Sequence, residues 1–274
     1  METILVPTDF SESANNAVNY AVCLADFFDA KLVLVNATPV LLPSYDSTLP
    51  VETMIDMQKK AEENLQNLKN ELLAKPHRKL TIECYTAAGY VFDVIESAEK
   101  KYNADLIVMG IVGEAGKIKE HVIGSTSVKV ARNARLPVFI IPEKVTYRRI
   151  RKISFACDMD QTEESTLLYV VKYFNKLFDA ELEVVHVEGP YEETSYQKAR
   201  SSVFVEKRLE NIQHKTVYVT HTDVGIGLQD YFDANPTDVV MLNPKKHNIF
   251  HTLFNESVTK KLAFHLHQPI LTIR

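Results

Sequence analysis

Two glycine clusters are the part of the sequence most typical of phosphate chemistry. The first follows Met109 and consists of Gly110 and Gly113, and the second begins ten residues later with Gly124, Ser125, Thr126 and Ser127. Glycine lets a backbone approach a ligand closely. Gly124 and Ser125 also open a predicted helix, whose free amides and positive dipole end attract an anion, and the hydroxyls add donors. The spacing therefore predicts a phosphate-binding loop.

A second candidate segment is Pro7, Thr8 and Asp9, at the end of the first strand-like run. Doubly wound parallel sheets bind ligands at the carboxyl ends of the two strands where the winding direction reverses. These are expected to be strands one and four, which end at Asp9 and Gly110. The alternative is that the glycines only shape a turn and that Asp9 only caps the first helix.

Gly116 and Lys117 superficially resemble a P-loop, which needs a glycine five residues before a Gly-Lys pair and a hydroxyl directly after it. Gly110 is six residues before Gly116, and Ile118 occupies the hydroxyl position. The P-loop match fails. Lys117 and Lys119 are minor candidates for phosphate contacts.

The sequence segments that form the elements around these residues occur twice in the chain. The run 3–9, ending in Asp9, has its counterpart in 152–158, ending in Asp158; similarly 28–32 matches 178–182, 105–108 matches 238–241, and 136–141 matches 268–273. An internal repeat fixes the architecture more firmly than local propensity does. We therefore predict two domains, 1–143 and 149–274, whose join lies near residues 143–149, in a basic stretch.

Within the first copy, apolar spacing predicts five strands that alternate with four helices. Ser11 is the expected N-cap of the first helix, and another helix is expected to begin near Ser125. Strands separated by helices need right-handed crossovers and form a parallel sheet covered on both faces. The predicted fold class is α/β, with two tandem doubly wound five-stranded parallel sheets of Rossmann-like type.

These motifs make the sequence similar to the universal stress protein family, in its ATP-binding branch and tandem two-domain form. The family loop reads Gly, two residues, Gly, nine residues, Gly, then Ser or Thr, and its first strand ends in Pro, any residue, Asp. This chain has ten residues instead of nine between Gly113 and Gly124. The resemblance covers nearly the whole chain and implies an adenine nucleotide alpha hydrolase-like fold.

The resemblance also implies a binding site for ATP, or for ADP or AMP, with or without Mg²⁺. Adenine and ribose would be bordered by Pro7, Thr8, Asp9 and Val35. Ribose and phosphates would be held by Gly110, Gly113, Gly124, Ser125 and Thr126. Met109 and Ser127 would be further residues of the same site.

The second copy lacks the glycine loop. Its fourth strand ends in Leu242, Asn243 and Pro244, and counting back from the matched prolines aligns Gly124 with Glu256. Two unit charges about 4 Å apart repel by about 4 kcal/mol at a surface-like dielectric, more than the ~0.3–2 kcal/mol that a helix end offers an anion. We therefore expect phosphate binding in the first domain alone.

Other chemistry has weaker support in the sequence. His247 and His251 have the i, i+4 spacing of metal ligands, but no cysteine or adjacent Glu accompanies them, and no metal site is predicted. Three cysteines without paired spacing indicate no disulfide framework. The net charge of −5 argues against nucleic acid as a partner. Without a signal-like start or a membrane-length apolar run, we expect a cytoplasmic protein with no membrane partner.

Three functions follow from these observations. The first is a nucleotide-binding sensor or regulatory protein of the stress response, whose second domain replaces the partner subunit of the family's dimers by pairing strand 137–141 with strand 269–273. A further homodimer and an unidentified regulatory protein partner are compatible with it. The second is a slow ATP hydrolase or phosphotransferase using Asp9 or Ser125. The third is an interaction scaffold that binds no nucleotide.

Overall fold

Strands and helices alternate along the part of the chain that the computed structural model describes, which comprises residues 1–40, 51–76, 79–111, 125–157, 165–189, 203, 205–243 and 268–273. These residues form two compact units, with the division between Tyr147 and Arg148. None of the described helices combines the length and apolar character needed to cross a lipid bilayer.

The first unit contains the predicted five strands and four helices. They are β1 (Thr3–Pro7), α1 (Glu12–Phe28), β2 (Lys31–Thr38), α2 (Val51–Leu73), β3 (Thr81–Ala88), α3 (Val91–Tyr102), β4 (Leu106–Gly110), α4 (Ser125–Asn133) and β5 (Val138–Ile141). Ser11 caps α1 as expected, since its side chain accepts a hydrogen bond from Ala14 N–H.

The sheet of the first unit is parallel, with strand order β3-β2-β1-β4-β5. β1 is wholly buried and pairs with β2 in a register that sets Pro7 opposite Val35. Right-handed crossovers place α1 and α2 on one face and α3 and α4 on the other. The winding direction reverses between β1 and β4, so the predicted switch point is confirmed.

The segment that follows β5 packs back onto the first unit. The side-chain amide of Asn16 on α1 donates to the carbonyls of Pro142 and Val145, each at 2.9 Å. The rings of Tyr20 and Tyr147 meet edge-on with their centroids 5.2 Å apart. These contacts explain why the first unit includes residues 143–147, which the sequence pattern marks as a connector.

The second unit repeats the same order of strands. It contains β6 (Lys152–Ala156), α5 (Ser165–Phe178), β7 (Glu181–Glu188), a helical segment at 205–209, β8 (His214–Thr220), α6 (Val224–Ala234), β9 (Val239–Leu242) and β10 (Ile270–Thr272). Its strands are parallel in the order β10-β9-β6-β7-β8. The predicted α/β fold class is confirmed.

Each unit ties its first strand to an aspartate that precedes its fourth strand. One carboxylate oxygen of Asp105 accepts hydrogen bonds from the backbone N–H groups of Glu2 and Thr3, at 2.6 and 3.0 Å. Asp238, its partner in the sequence repeat, does the same for Arg151 and Lys152, at 2.8 and 2.9 Å. The two copies therefore share the same pair of hydrogen bonds from backbone N–H groups to an aspartate carboxylate.

The core of the second unit departs from the first by including a buried carboxylate, Glu183 on β7. The ammonium group of Lys152 lies 3.2 Å from Glu183 Oε2, and Ser154 Oγ lies at the same distance. Burial alone would raise the pKa of Glu183, but hydrogen bonds from Tyr231, Lys152 and Ser154 and the Lys152 charge hold it below its ordinary value. Burial, then the hydrogen bond and charge of Glu183, raise the pKa of Tyr231 to about 12.

This network predicts an acid-dependent stability of the second unit. A carboxyl whose pKa is lower in the folded state contributes stability above its unfolded pKa, near 4.5, which is lost as pH falls through the lower folded value. Replacing Glu183 by Gln should cost about 2 kcal/mol at pH 7. In urea denaturation the difference from wild type should shrink below pH 4.5. Glu181→Gln, at an exposed position of the same strand, is the control, and a difference independent of pH would contradict the prediction.

Candidate functional site

A small cavity opens at the carboxyl ends of β1, β2 and β4, at the switch point of the first unit. Its volume is about 100 Å³. The lining residues come from the ends of these strands and from the starts of α1, α3 and α4, and they are Pro7, Thr8, Asp9, Ala14, Val35, Asn36, Ala37, Val91, Ile95, Met109, Gly110 and Thr126. The topology thus brings both predicted segments together.

The walls of the cavity are mainly apolar. Val35 and Ala37 are alternate residues of β2 and therefore share one face of the sheet, while Val91 and Ile95 are one helical turn apart on α3. Pockets that enclose a whole small-molecule ligand usually measure about 300–1,000 Å³. A cavity of about 100 Å³ is smaller than such a pocket and has room for a small, mainly apolar part of a ligand.

The turn between β1 and α1 forms one rim of the cavity. Thr8 N–H donates to Val35 O at 2.8 Å, Phe10 N–H donates to Thr8 Oγ1 at 3.0 Å, and Ser11 N–H donates to Asp9 Oδ1 at 3.0 Å. Phe10 has a φ of 65°, a left-handed conformation that is costly for a bulky residue. These bonds hold a tight turn that leaves Asp9 exposed at the mouth of the cavity.

Asn36 is a polar residue that the analysis of the sequence did not select. Its side-chain amide donates to Thr8 O at 2.7 Å, and the residue is buried, with 8% of its surface exposed. The available signal was an amide side chain that directly follows the apolar run 32–35. Because buried polar groups need partners, such a position marks a specific contact.

Gly110 has a packing role. A Cβ atom at this position would lie 2.4 Å from Ser13 O and 2.7 Å from Ser13 C, which belong to the backbone of α1. The hydroxyl of Ser127, which is fully buried, donates to Gly110 O at 2.9 Å. Gly110 therefore allows α1 to approach the end of β4, and Ser127 joins α4 to the same strand.

The structure brings seven of the predicted residues around the cavity: Pro7, Thr8, Asp9, Val35, Met109, Gly110 and Thr126. Ser127 is not among the lining residues, and its hydroxyl donates to Gly110 O. Ser125 begins α4. Gly113 and Gly124 lie outside the described residues, as do Lys117, Lys119, His247 and His251. Lining residues that the sequence analysis missed are Ala14, Asn36, Ala37, Val91 and Ile95.

The corresponding edge of the second unit has different side chains. His186 aligns with Asn36, and its Nδ1 lies 3.0 Å from Cys157 O. Val187, which is larger, occupies the position of Ala37, and Asn243 that of Gly110. Asp158 and Glu256 lie outside the described residues.

Comparison with known proteins identifies relatives of both the first half and the whole chain. The model of the universal stress protein family matches residues 1–142. A universal stress protein of Methanocaldococcus jannaschii is 32% identical over 143 residues, which are 50% of this chain and 80% of that protein. A universal stress protein of Synechocystis is 22% identical over 296 residues and covers 100% of both chains, in agreement with a tandem form.

Solved structures support the fold. A universal stress protein from Archaeoglobus fulgidus has a TM-score of 0.72 at 19% identity, covering 99% of this chain and 98% of that one. At this identity the structural similarity is evidence for the architecture alone. The family model and the sequence relatives are evidence for common ancestry. Because the family model accounts for more than half of the 274 residues, the chain belongs to the universal stress protein family.

Proposed function

We propose that the first unit binds an adenine nucleotide, ATP in the first instance, and that the protein acts as a nucleotide-dependent sensor or regulator in the stress response. The observation that carries this proposal is the apolar cavity at the switch point, with a polar rim and a size that suits a base. The base would lie between β2 and α3, with ribose near Asp9.

The backbone of Ala37 supports adenine as the base. Alternate residues of a strand direct their backbone groups to the same side, so the N–H and C=O of Ala37 face the same way as the Val35 carbonyl, which accepts from Thr8 N–H. β1 ends at Pro7, opposite Val35, so this part of β2 extends beyond it. A donor and an acceptor side by side match adenine, whose N6 amino group lies beside a ring-nitrogen acceptor.

The start of α4 supports the phosphate part of the proposal. Thr126, in the first turn of α4, lines the cavity. Free amides and the dipole at a helix N-terminus favour an anion there. The phosphates would extend from the cavity toward this turn and toward Gly113 and Gly124, with Mg²⁺ as their counter-ion.

Binding, rather than catalysis, is the function we propose. Asp9 is the one titratable side chain among the described residues that line the cavity. Hydrolysis needs a positioned general base and charge stabilisation at the reacting phosphate, and a single exposed carboxylate offers little of either. The second unit would bind no nucleotide, because its sequence has no glycine loop and carries Glu256 at the position of Gly124.

Calorimetric titration of the full chain tests this proposal. ATP with Mg²⁺ should bind, and GTP should bind at least about tenfold more weakly, about 1.4 kcal/mol. Gly124→Glu should abolish ATP binding without changing the thermal midpoint, because it places a carboxylate at the proposed phosphate site. Gly124→Gln, equal in shape but uncharged, is the matched control and should retain more affinity. Wild-type affinity in Gly124→Glu would exclude this phosphate site, and no heat with wild type would overturn the proposed function.

A further inference from the structure

The β1–β2 ladder ends where a side chain takes the place of a backbone donor. Its last bond runs from Thr8 N–H to Val35 O, at 2.8 Å. In a regular parallel ladder the next bond would join Ala37 N–H to Thr8 O. Thr8 O instead accepts from the Asn36 side chain, at 2.7 Å. Among the hydrogen bonds of the described residues, none joins Ala37 N–H to Thr8 O.

The Asn36 contact has two consequences for the cavity. It leaves the Ala37 N–H directed at the space beyond the end of β1, beside the cavity that Ala37 lines. It also fixes the Thr8 carbonyl at the base of the turn, in which the Phe10 amide donates to Thr8 Oγ1. One side chain therefore both ends the ladder and anchors the turn that bears Asp9.

In the second unit another side chain lies at the equivalent backbone carbonyl. Cys157 N–H donates to Val185 O at 2.9 Å, which is the equivalent of the last ladder bond. Nδ1 of His186 lies 3.0 Å from Cys157 O, so an N–H at that ring nitrogen makes the contact of the Asn36 amide. Two different side chains thus contact the equivalent carbonyl in the two units, and both can supply a donor there.

We propose that Asn36 is a positioning residue of the base site: by occupying the Thr8 carbonyl, it keeps the Ala37 N–H out of the ladder and available to a bound base. This inference rests on the proposed nucleotide binding for its functional part. Its structural part, the availability of the Ala37 amide, holds in the free protein and can be measured without a ligand.

Three variants of the full chain separate this role from general packing. Asn36→Leu keeps the branching and the number of side-chain heavy atoms but has no donor, so Thr8 O becomes free to accept the Ala37 N–H. Asn36→His supplies the donor that the second unit uses. Thr38→Val is the matched control, because Thr38 is buried on the same face of β2, two residues further along.

Two measurements are needed, namely amide hydrogen exchange resolved to Ala37 by NMR without nucleotide, and calorimetric titration with ATP and Mg²⁺. In wild type the Ala37 amide should exchange rapidly and become protected by ATP. In Asn36→Leu it should be protected without ATP, and ATP affinity should fall about tenfold or more, the value of a lost hydrogen bond. Asn36→His and Thr38→Val should behave like wild type in both measurements.

The outcomes distinguish this inference from the proposed function. Protection of the Ala37 amide in the free wild-type protein, or unchanged exchange and affinity in Asn36→Leu, would overturn the role of Asn36. Loss of affinity in Asn36→His equal to that in Asn36→Leu would also overturn it, since a packing role does not depend on a donor. No ATP binding by wild type would refute the proposed function, while the exchange of Ala37 would still decide whether Asn36 controls that amide.

Discussion

Replacing Ala37 by Leu is expected to weaken ATP binding at least about 100-fold, or about 2.7 kcal/mol, while the protein remains folded. Ala37 lines a cavity of only about 100 Å³, and the larger side chain would occupy the space proposed for the base. The second unit carries Val187 at the matched position, so a larger residue is compatible with the strand. Calorimetric titration gives the affinity, and circular dichroism checks the fold.

The control for this variant is Ala87→Leu. Ala87 pairs with Ala37 on the adjacent strand and is also an alanine, but it does not line the cavity. The Ala87→Leu variant should bind ATP like wild type. Equal affinity of Ala37→Leu and wild type would show that the nucleotide base does not occupy the cavity.

Replacing Gly110 by Ala is expected to destabilise the first unit by about 1–3 kcal/mol, the usual cost of overpacking. The added methyl carbon would lie 2.4 Å from Ser13 O, and this backbone cannot move without displacing α1. Urea denaturation should show a lower midpoint in the absence of any nucleotide. An unchanged midpoint with a loss of ATP affinity would instead make Gly110 a residue of the ligand site, as the glycine pattern alone predicts.

The sequence was sufficient for the fold and for the strand ends at which the cavity lies. Apolar periodicity, the Ser11 cap and the internal repeat depend on neighbouring residues or on comparison of the two halves, and the elements they predict are confirmed. The crevice at Asp9 and Gly110 follows from topology, because β1 and β4 are the adjacent strands of the first unit at which the winding direction reverses.

The details of the site depend on contacts between residues distant in sequence. Gly110 belongs to a glycine pattern typical of a phosphate loop, and its close packing against Ser13 is visible only in the structure. Ser127 belongs to a run of hydroxyl residues, but its burial against Gly110 O depends on the placement of α4. Asn36 makes its contact across strands, 28 residues from Thr8 in sequence. Local patterns contain no information on such contacts.

The buried network around Glu183 illustrates the same limit. Its members come from β6, β7 and α6, and the aligned positions of the first unit, Leu5 and Val33, are apolar core residues. A repeat in sequence predicts a common backbone, but it does not predict which copy replaces part of its core with a hydrogen-bonded carboxylate.

The most direct test of the account is to identify and count the nucleotides that freshly purified full-length protein releases on denaturation, by mass spectrometry, after saturation with ATP and Mg²⁺ and removal of the excess. If the first unit alone binds the nucleotide, one adenine nucleotide should be released per chain. Two nucleotides per chain would contradict the assignment of a single site, and none would contradict nucleotide binding itself.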